Sequence, residues 1–156
     1  MNYSKAQRII FDSLCKGGRC ARFMLDENNL FVTPDGYRGF VIPAASVAFN
    51  AGKMKEIDPL PILEAVKPEN EIKLTDDLRL DKQHKTMSRR LKGNGKNVFV
   101  NIKFLECFQN PKFYQAADMN SMIVVTEQTW RNNEEFPVGI ILPVRISKIG
   151  NDYYND

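Results

Sequence analysis

The chain has 156 residues, of which 43% are hydrophobic and 26% charged, with a net charge of +3. That length suits one domain, and the ten phenylalanines with many Ile, Leu and Val exclude a largely disordered chain. No run approaches the roughly 20 apolar residues needed to span a bilayer, and the opening MNYSKAQRII lacks the apolar segment of a secretory signal, so a soluble, cytoplasmic protein with no membrane partner is expected.

In chain order, Ser4 with Gln7 three residues later reads as a reciprocal helix cap. Ala6, Ile9, Ile10 and Leu14 then fall on one helical face, and Gly17 and Gly18 end the helix. Three strands follow, over 21–26, 30–33 and 37–42, with turns at Glu27-Asn28-Asn29 and Pro34-Asp35-Gly36 and a stop at Pro43. Asp58-Pro59 opens a short helix through Val66, ended by Pro68. Residues 71–74 and 78–80 alternate apolar and polar about Thr75, Asp76 and Asp77, which predicts a hairpin with its turn there.

Residues 82–96 carry Lys82, Lys85, Arg89, Arg90, Lys92 and Lys96 and no acid, so the rest of the chain sums to −3. Gly93-Asn94-Gly95 at its end predicts a loop. Beyond it, 97–100 is a short strand and Asn101 caps a helix bearing Ile102, Leu105 and Phe108. Strands over 113–118, 121–126 and 137–146 complete the pattern, with a polar loop over 127–136 and a frayed polar tail.

The two ends read as copies. Gly39-Phe40-Val41-Ile42-Pro43 matches Gly139-Ile140-Ile141-Leu142-Pro143 at an offset of 100, the hairpins match at roughly 91 and the helices at roughly 97. The alternative is a chance repeat of a common strand ending. The fold class expected is α+β: two helix-strand-strand-strand units joined edge to edge in one sheet. Within a single domain over 1–156, unit one is 4–43 and the variable middle 44–96, with the basic loop at 82–96. Unit two is 97–146 and the tail 147–156.

This order resembles the bacterial DNA sliding clamps, the beta subunit of the replicative polymerase, in which a helix followed by three strands occurs twice per domain. Asn101-Ile102-Lys103-Phe104-Leu105 is similar to the start of a clamp helix. Ser121-Met122-Ile123-Val124-Val125 is similar to the strand after its hairpin, and Ile141-Leu142-Pro143-Val144-Arg145-Ile146 to the closing strand. The resemblance implies a DNA clamp fold that binds DNA or a replication or DNA-processing protein. By the same resemblance, Leu142, Pro143, Val144 and Ile146 border a groove for short peptides; they read equally as ordinary core strand residues. The chain departs from the family in having room for one such domain where a clamp chain has three, so a ring would need an oligomer. Its inward helices also offer few cations: Lys5, Arg8 and Lys103.

Chemistry is sparse. Gly93-Asn94-Gly95 lacks the Lys-Ser/Thr ending of a phosphate loop. His84, the one histidine, lies among like charges with no nucleophile motif beside it, and Asp76-Asp77 and Glu134-Glu135 are adjacent pairs that read as solvated. Cys15, Cys20 and Cys107 lack the spacing of a zinc site. No catalytic residue, metal or cofactor is expected.

Two polar features remain. The residues Lys82, Lys85, Arg89, Arg90, Lys92 and Lys96 either grip phosphates or form a solvated linker. Trp130 is either a partner anchor or a lid on the core. The expected function is non-enzymatic binding of DNA or a DNA-processing protein. The alternative is a phage or mobile-element inhibitor that blocks a host nuclease, of the anti-CRISPR type.

Overall fold

The computed structural model describes residues 1–81, 85–116, 121–128 and 133–144. Helix α1 spans Tyr3–Cys15 and buries Ala6 and Ile10 completely. Its cap is Asn2, whose side chain accepts from the Lys5 amide at 3.0 Å. The expected Ser4–Gln7 box does not form, because Gln7 is spent elsewhere: its side-chain oxygen accepts from the Ala48 amide at 2.8 Å. Gly17, at φ +70°, ends the helix in the left-handed conformation that glycine adopts without strain.

The strands β1 (Ala21–Met24), β2 (Asn29–Thr33) and β3 (Arg38–Pro43) form an antiparallel meander. Asp35 sets its second turn by accepting from the Tyr37 amide at 3.0 Å and pairing with the Arg38 guanidinium at 3.0 Å. β4 (Lys55–Glu56) lies parallel to β1, and α2 (Leu60–Leu63) is one turn started after Pro59. Next come β5 (Glu71–Asp81), β6 (Thr86–Gly93), β7 (Lys96–Asn101) and α3 (Ile102–Leu105), capped as expected by Asn101. A second antiparallel meander follows: β8 (Lys112–Gln115), β9 (Ile123–Gln128) and β10 (Glu135–Ile141).

All ten strands join in one sheet, in the order β4-β1-β2-β3-β10-β9-β8-β5-β6-β7. The α+β class therefore holds, and the two meanders meet at an antiparallel β3–β10 seam. There Gly139 faces Phe40 and Ile140 faces Gly39. Because alternate residues on a strand point to opposite faces, the two glycines lie on opposite faces of the sheet. A Cβ on Gly39 would meet the Phe31 ring, whereas one on Gly139 would meet Phe108 in the other core cluster. The 100-residue match of the two glycine motifs thus misaligns the faces by one position. The face-preserving correspondence is 99, which sets Phe40 against Gly139 and Val41 against Ile140.

One face carries the main core. Ala6 and Ile10 of α1 pack with Val32, Phe40 and Ile42 and with Ile72, Leu91, Val98 and Val100 from the far strands. The far strands reach that core because the sheet curls round: the Val144 amide, just past β10, donates to the Phe99 carbonyl of β7 at 2.7 Å. The other face is covered by the middle segment, where Ile57, Ile62, Leu63 and Val66 pack on Phe31, Val41, Ile140, Tyr114 and Val124. Each such aliphatic side chain contributes about 1.5–3 kcal/mol if fully buried, so the middle segment is a structural cover.

Three expectations change here. Thr75, Asp76 and Asp77 do not turn a hairpin; β5 runs straight through them, and the register slips from Leu74 opposite Leu91 to Leu78 opposite Arg89, a bulge. The 82–96 stretch is not a loop where it is described, since Thr86–Gly93 is strand β6. Gly93-Asn94-Gly95 is a tight turn: Gly93 pairs with Lys96, and Asn94 and Gly95 take φ +48° and +71°, the conformation favoured between twisted antiparallel strands. The expected tail over 147–156 lies outside the described residues. Among those described, no helix is long and apolar enough to cross a membrane, which leaves membrane β-barrels untouched.

Candidate functional site

The basic stretch divides by environment. Arg89 donates from Nε to the Thr75 carbonyl at 2.6 Å and from Nη2 to Asp76 at 2.9 Å. Arg90 donates from Nε to Asp77 at 2.8 Å, and its side chain is only 14% exposed. The hydrogen bond from Arg90 holds the Asp77 carboxyl below the usual carboxylate range. Asp76 and Asp77, at the β5 bulge, pair with the arginines of β6 and are exposed, so they are solvated as expected but on a strand and not in a loop.

Lys96 is buried, and its ammonium donates to the Gln115 carbonyl and, at 3.0 Å, to that of Ala116. It ties β7 to the end of β8 and is withdrawn from any phosphate. Lys85, at φ +52°, and Lys92 are exposed. Lys82 and His84 lie outside the described residues. The described cations therefore do not form one cluster.

The clamp-type peptide stretch is also used within the chain. The Leu142 amide donates to the Tyr37 carbonyl at 2.7 Å, Pro143 is buried and Val144 bridges to Phe99. These three residues carry the chain from the central seam to β7 instead of continuing a closing strand. Ile146 and Trp130 lie outside the described residues.

A polar cluster missed by the sequence reading sits on β8, β9 and β10. Glu135 accepts from the Thr126 hydroxyl at 2.6 Å and the Lys112 ammonium at 2.9 Å, and Tyr114 hydrogen-bonds it as well. Burial works against the charge on Glu135, but these three donors outweigh it and hold its carboxyl below the ordinary range. Burial, and then the neighbouring Glu135, push the Tyr114 phenol up. A carboxylate supplied with three donors is a buckle across strands. Among the described residues no three His, Cys, Asp or Glu side chains converge as metal ligands, and the three cysteines are free.

Among the described residues, Phe11, Met24, Tyr37, Leu60, Leu78 and Leu80 are the exposed large apolar side chains, and only Leu78 and Leu80 lie two apart on one strand. Leu78 is 54% exposed and Leu80 is 53% exposed. Leu78 faces Arg89 and Leu80 faces Met87, on the side of the hairpin that continues from the buried Leu91. Core residues give way to a projecting arm here: the sheet face that is interior at Leu91 is surface at Leu80. The Leu78-Arg79-Leu80 alternation was visible in sequence, but alternation reads the same for a strand over a core and a strand beyond it.

A second apolar feature is a cavity of about 120 Å³ on the opposite sheet face. Phe31, Ile57, Ile62, Met122 and Ile140 line it together with Gly39, and Thr33, Arg38 and Asp58 are its polar lining residues. Gly39 leaves room for the Phe31 ring, from which a Cβ would stand 2.2 Å unless the ring moved.

No family model, curated protein or solved structure matches this chain.

Proposed function

We propose that this chain is a non-enzymatic binding protein that docks on another protein through the β5–β6 arm. One observation carries the reading: two leucines, each more than half exposed, share one face of a projecting hairpin. Neighbouring exposed leucines on one strand face are costly in water and suit an interaction surface rimmed by polar groups, here Arg89, which faces Leu78. Duplex DNA is the weaker reading, because Arg89, Arg90 and Lys96 are already held by carboxylates or carbonyls. A phosphate would have to displace those partners.

The sliding-clamp resemblance enters only in part. Two meanders joined edge to edge support it; the one-turn α3 and the curled β5–β6–β7 extension depart from it. Within this class, an accessory of a DNA-processing protein and a phage or mobile-element inhibitor of a host nuclease differ in partner and not in the surface used.

The test compares the full chain with a Leu78→Thr/Leu80→Thr variant, which keeps strand propensity, and with Arg89→Ala/Arg90→Ala. Pull-down with mass spectrometry should give a stoichiometric protein complex that the leucine variant loses. Retention on a duplex DNA column should be weak at physiological salt. Strong retention with a steep salt dependence, removed by the arginine changes and indifferent to the leucine changes, would overturn the proposal.

A further inference from the structure

We infer that the arm takes its partner by strand addition: an extended segment of another protein pairs antiparallel with the open edge of β5 over residues 78–81, placing apolar side chains opposite Leu78 and Leu80 and a carboxylate opposite Arg79. The inference rests on the arm being the docking surface and adds the kind of partner that surface fits.

Main-chain hydrogen bonding points to this mode. β5 runs from Glu71 to Asp81 and pairs with β6 along one edge. On its other edge β8 pairs only with Glu71 and Ile72. Pro111, which has no N–H, precedes Lys112 and in the same register would stand opposite Leu74, so β8 goes no further. Among the described residues no strand pairs with that edge of β5 beyond Ile72. Alternate residues of an antiparallel strand direct both N–H and C=O to the same side, so the residues past the bulge present unmet main-chain donors and acceptors there. A segment seated on them would lie in line with β8 and continue the sheet. The two end strands offer less: β4 has two residues, and β7 is bridged at Phe99 by Val144.

Side chains then set the pattern of the incoming strand. Residues directly opposite in an antiparallel pair share a face. Leu78 and Leu80 are each more than half exposed, and apolar residues opposite would cover them. Arg79 points to the other face. It is half-buried and, unlike Arg89 and Arg90, has no carboxylate partner among the described residues. An acid opposite supplies one. Apolar, acidic, apolar is therefore the sequence recognised, with the main-chain bonds giving affinity and the side chains specificity.

The probe is a short capped peptide with Val-Glu-Val at its centre and Thr at its flanks, added to the full chain. Binding is followed by fluorescence anisotropy and main-chain pairing by NMR-detected amide exchange. Exchange should slow at alternate residues of 78–81. N-methylation of one alternate set of peptide amides should abolish binding, and methylation of the other set should not. Arg79→Glu should weaken the peptide about fivefold and should prefer a Val-Lys-Val peptide, a reversal that a misfolded variant cannot show.

Absence of peptide binding overturns the inference. So does equal tolerance of both methylated sets, or an Arg79→Glu protein with unchanged preference. If Leu78→Thr/Leu80→Thr loses a captured protein for which the peptide does not compete, strand addition fails and the docking reading survives. If the leucine changes remove no captured protein, both fail.

Discussion

The first meander rests under a thirteen-residue helix and the second beside a single helical turn, yet their strands are buried alike. β3 runs half-buried, four buried, half-buried over 38–43, and residues 137–142 repeat that pattern. β2 and residues 122–126 agree in the same way. Sheet position, not helix cover, fixes which residues are interior: each strand near the seam has a neighbour on both edges and a packed layer on both faces. The helices differ because the curled β5–β6–β7 strands occupy, in the second half, the space a longer helix would need. Val98 and Val100 of β7 share the core with Ile10.

The seam is where this likeness breaks most readily. Phe40→Ala removes a completely buried ring that faces Gly139 and packs 6.3 Å from Phe108, and should cost about 3–5 kcal/mol in a denaturant titration. The two glycines sharpen the comparison. A Cβ on Gly139 meets the Gly39 carbonyl at 2.7 Å as well as the Phe108 ring, whereas one on Gly39 meets only the far end of Phe31. Gly139→Ala should therefore cost about 2–3 kcal/mol and Gly39→Ala less, since a ring yields more readily than backbone. Equal costs would mean that the buried Phe31 ring yields no more readily than the Gly39 carbonyl.

Glu135 has no counterpart in the first meander. Its folded pKa is lowered from 4.5, so its stabilisation is complete above that value and is lost as pH falls through the folded value. Glu135→Gln should cost about 1–3 kcal/mol at neutral pH, and should flatten the acid limb of a thermal-melt series. Smallest of all, Asp76→Ala removes a partner of Arg89 that is fully exposed and should move stability by less than about 0.5 kcal/mol.

How much of this was legible in the sequence follows from what each signal depends on. Helix α1 was readable because Ala6, Ile9, Ile10 and Leu14 keep a helical period and Gly17 must be left-handed. The first meander was readable because Asp35-Gly36 and Pro43 punctuate it. The seam could be expected from the repeated glycine-to-proline motif, but its face could not, since a shift of one residue inverts a strand and leaves the motif unchanged. The β5 bulge was hidden because Thr75, Asp76 and Asp77 look like turn residues, and only pairing with β6 reveals what they hold. Burial of Lys96 was hidden for a related reason: its acceptors, the carbonyls of Gln115 and Ala116, carry no side-chain signal. The basic run looked uniform as a string, and the fold then assigned its members to a core buckle, a bulge and a surface.

The most direct test of the docking claim is a photo-crosslinking residue placed at position 80 of the full chain. The account predicts adducts to another protein in a cell lysate, and their loss when Leu78 is changed to Thr. Crosslinks to nucleic acid alone, or none above those from an exposed position such as Lys92, would contradict it.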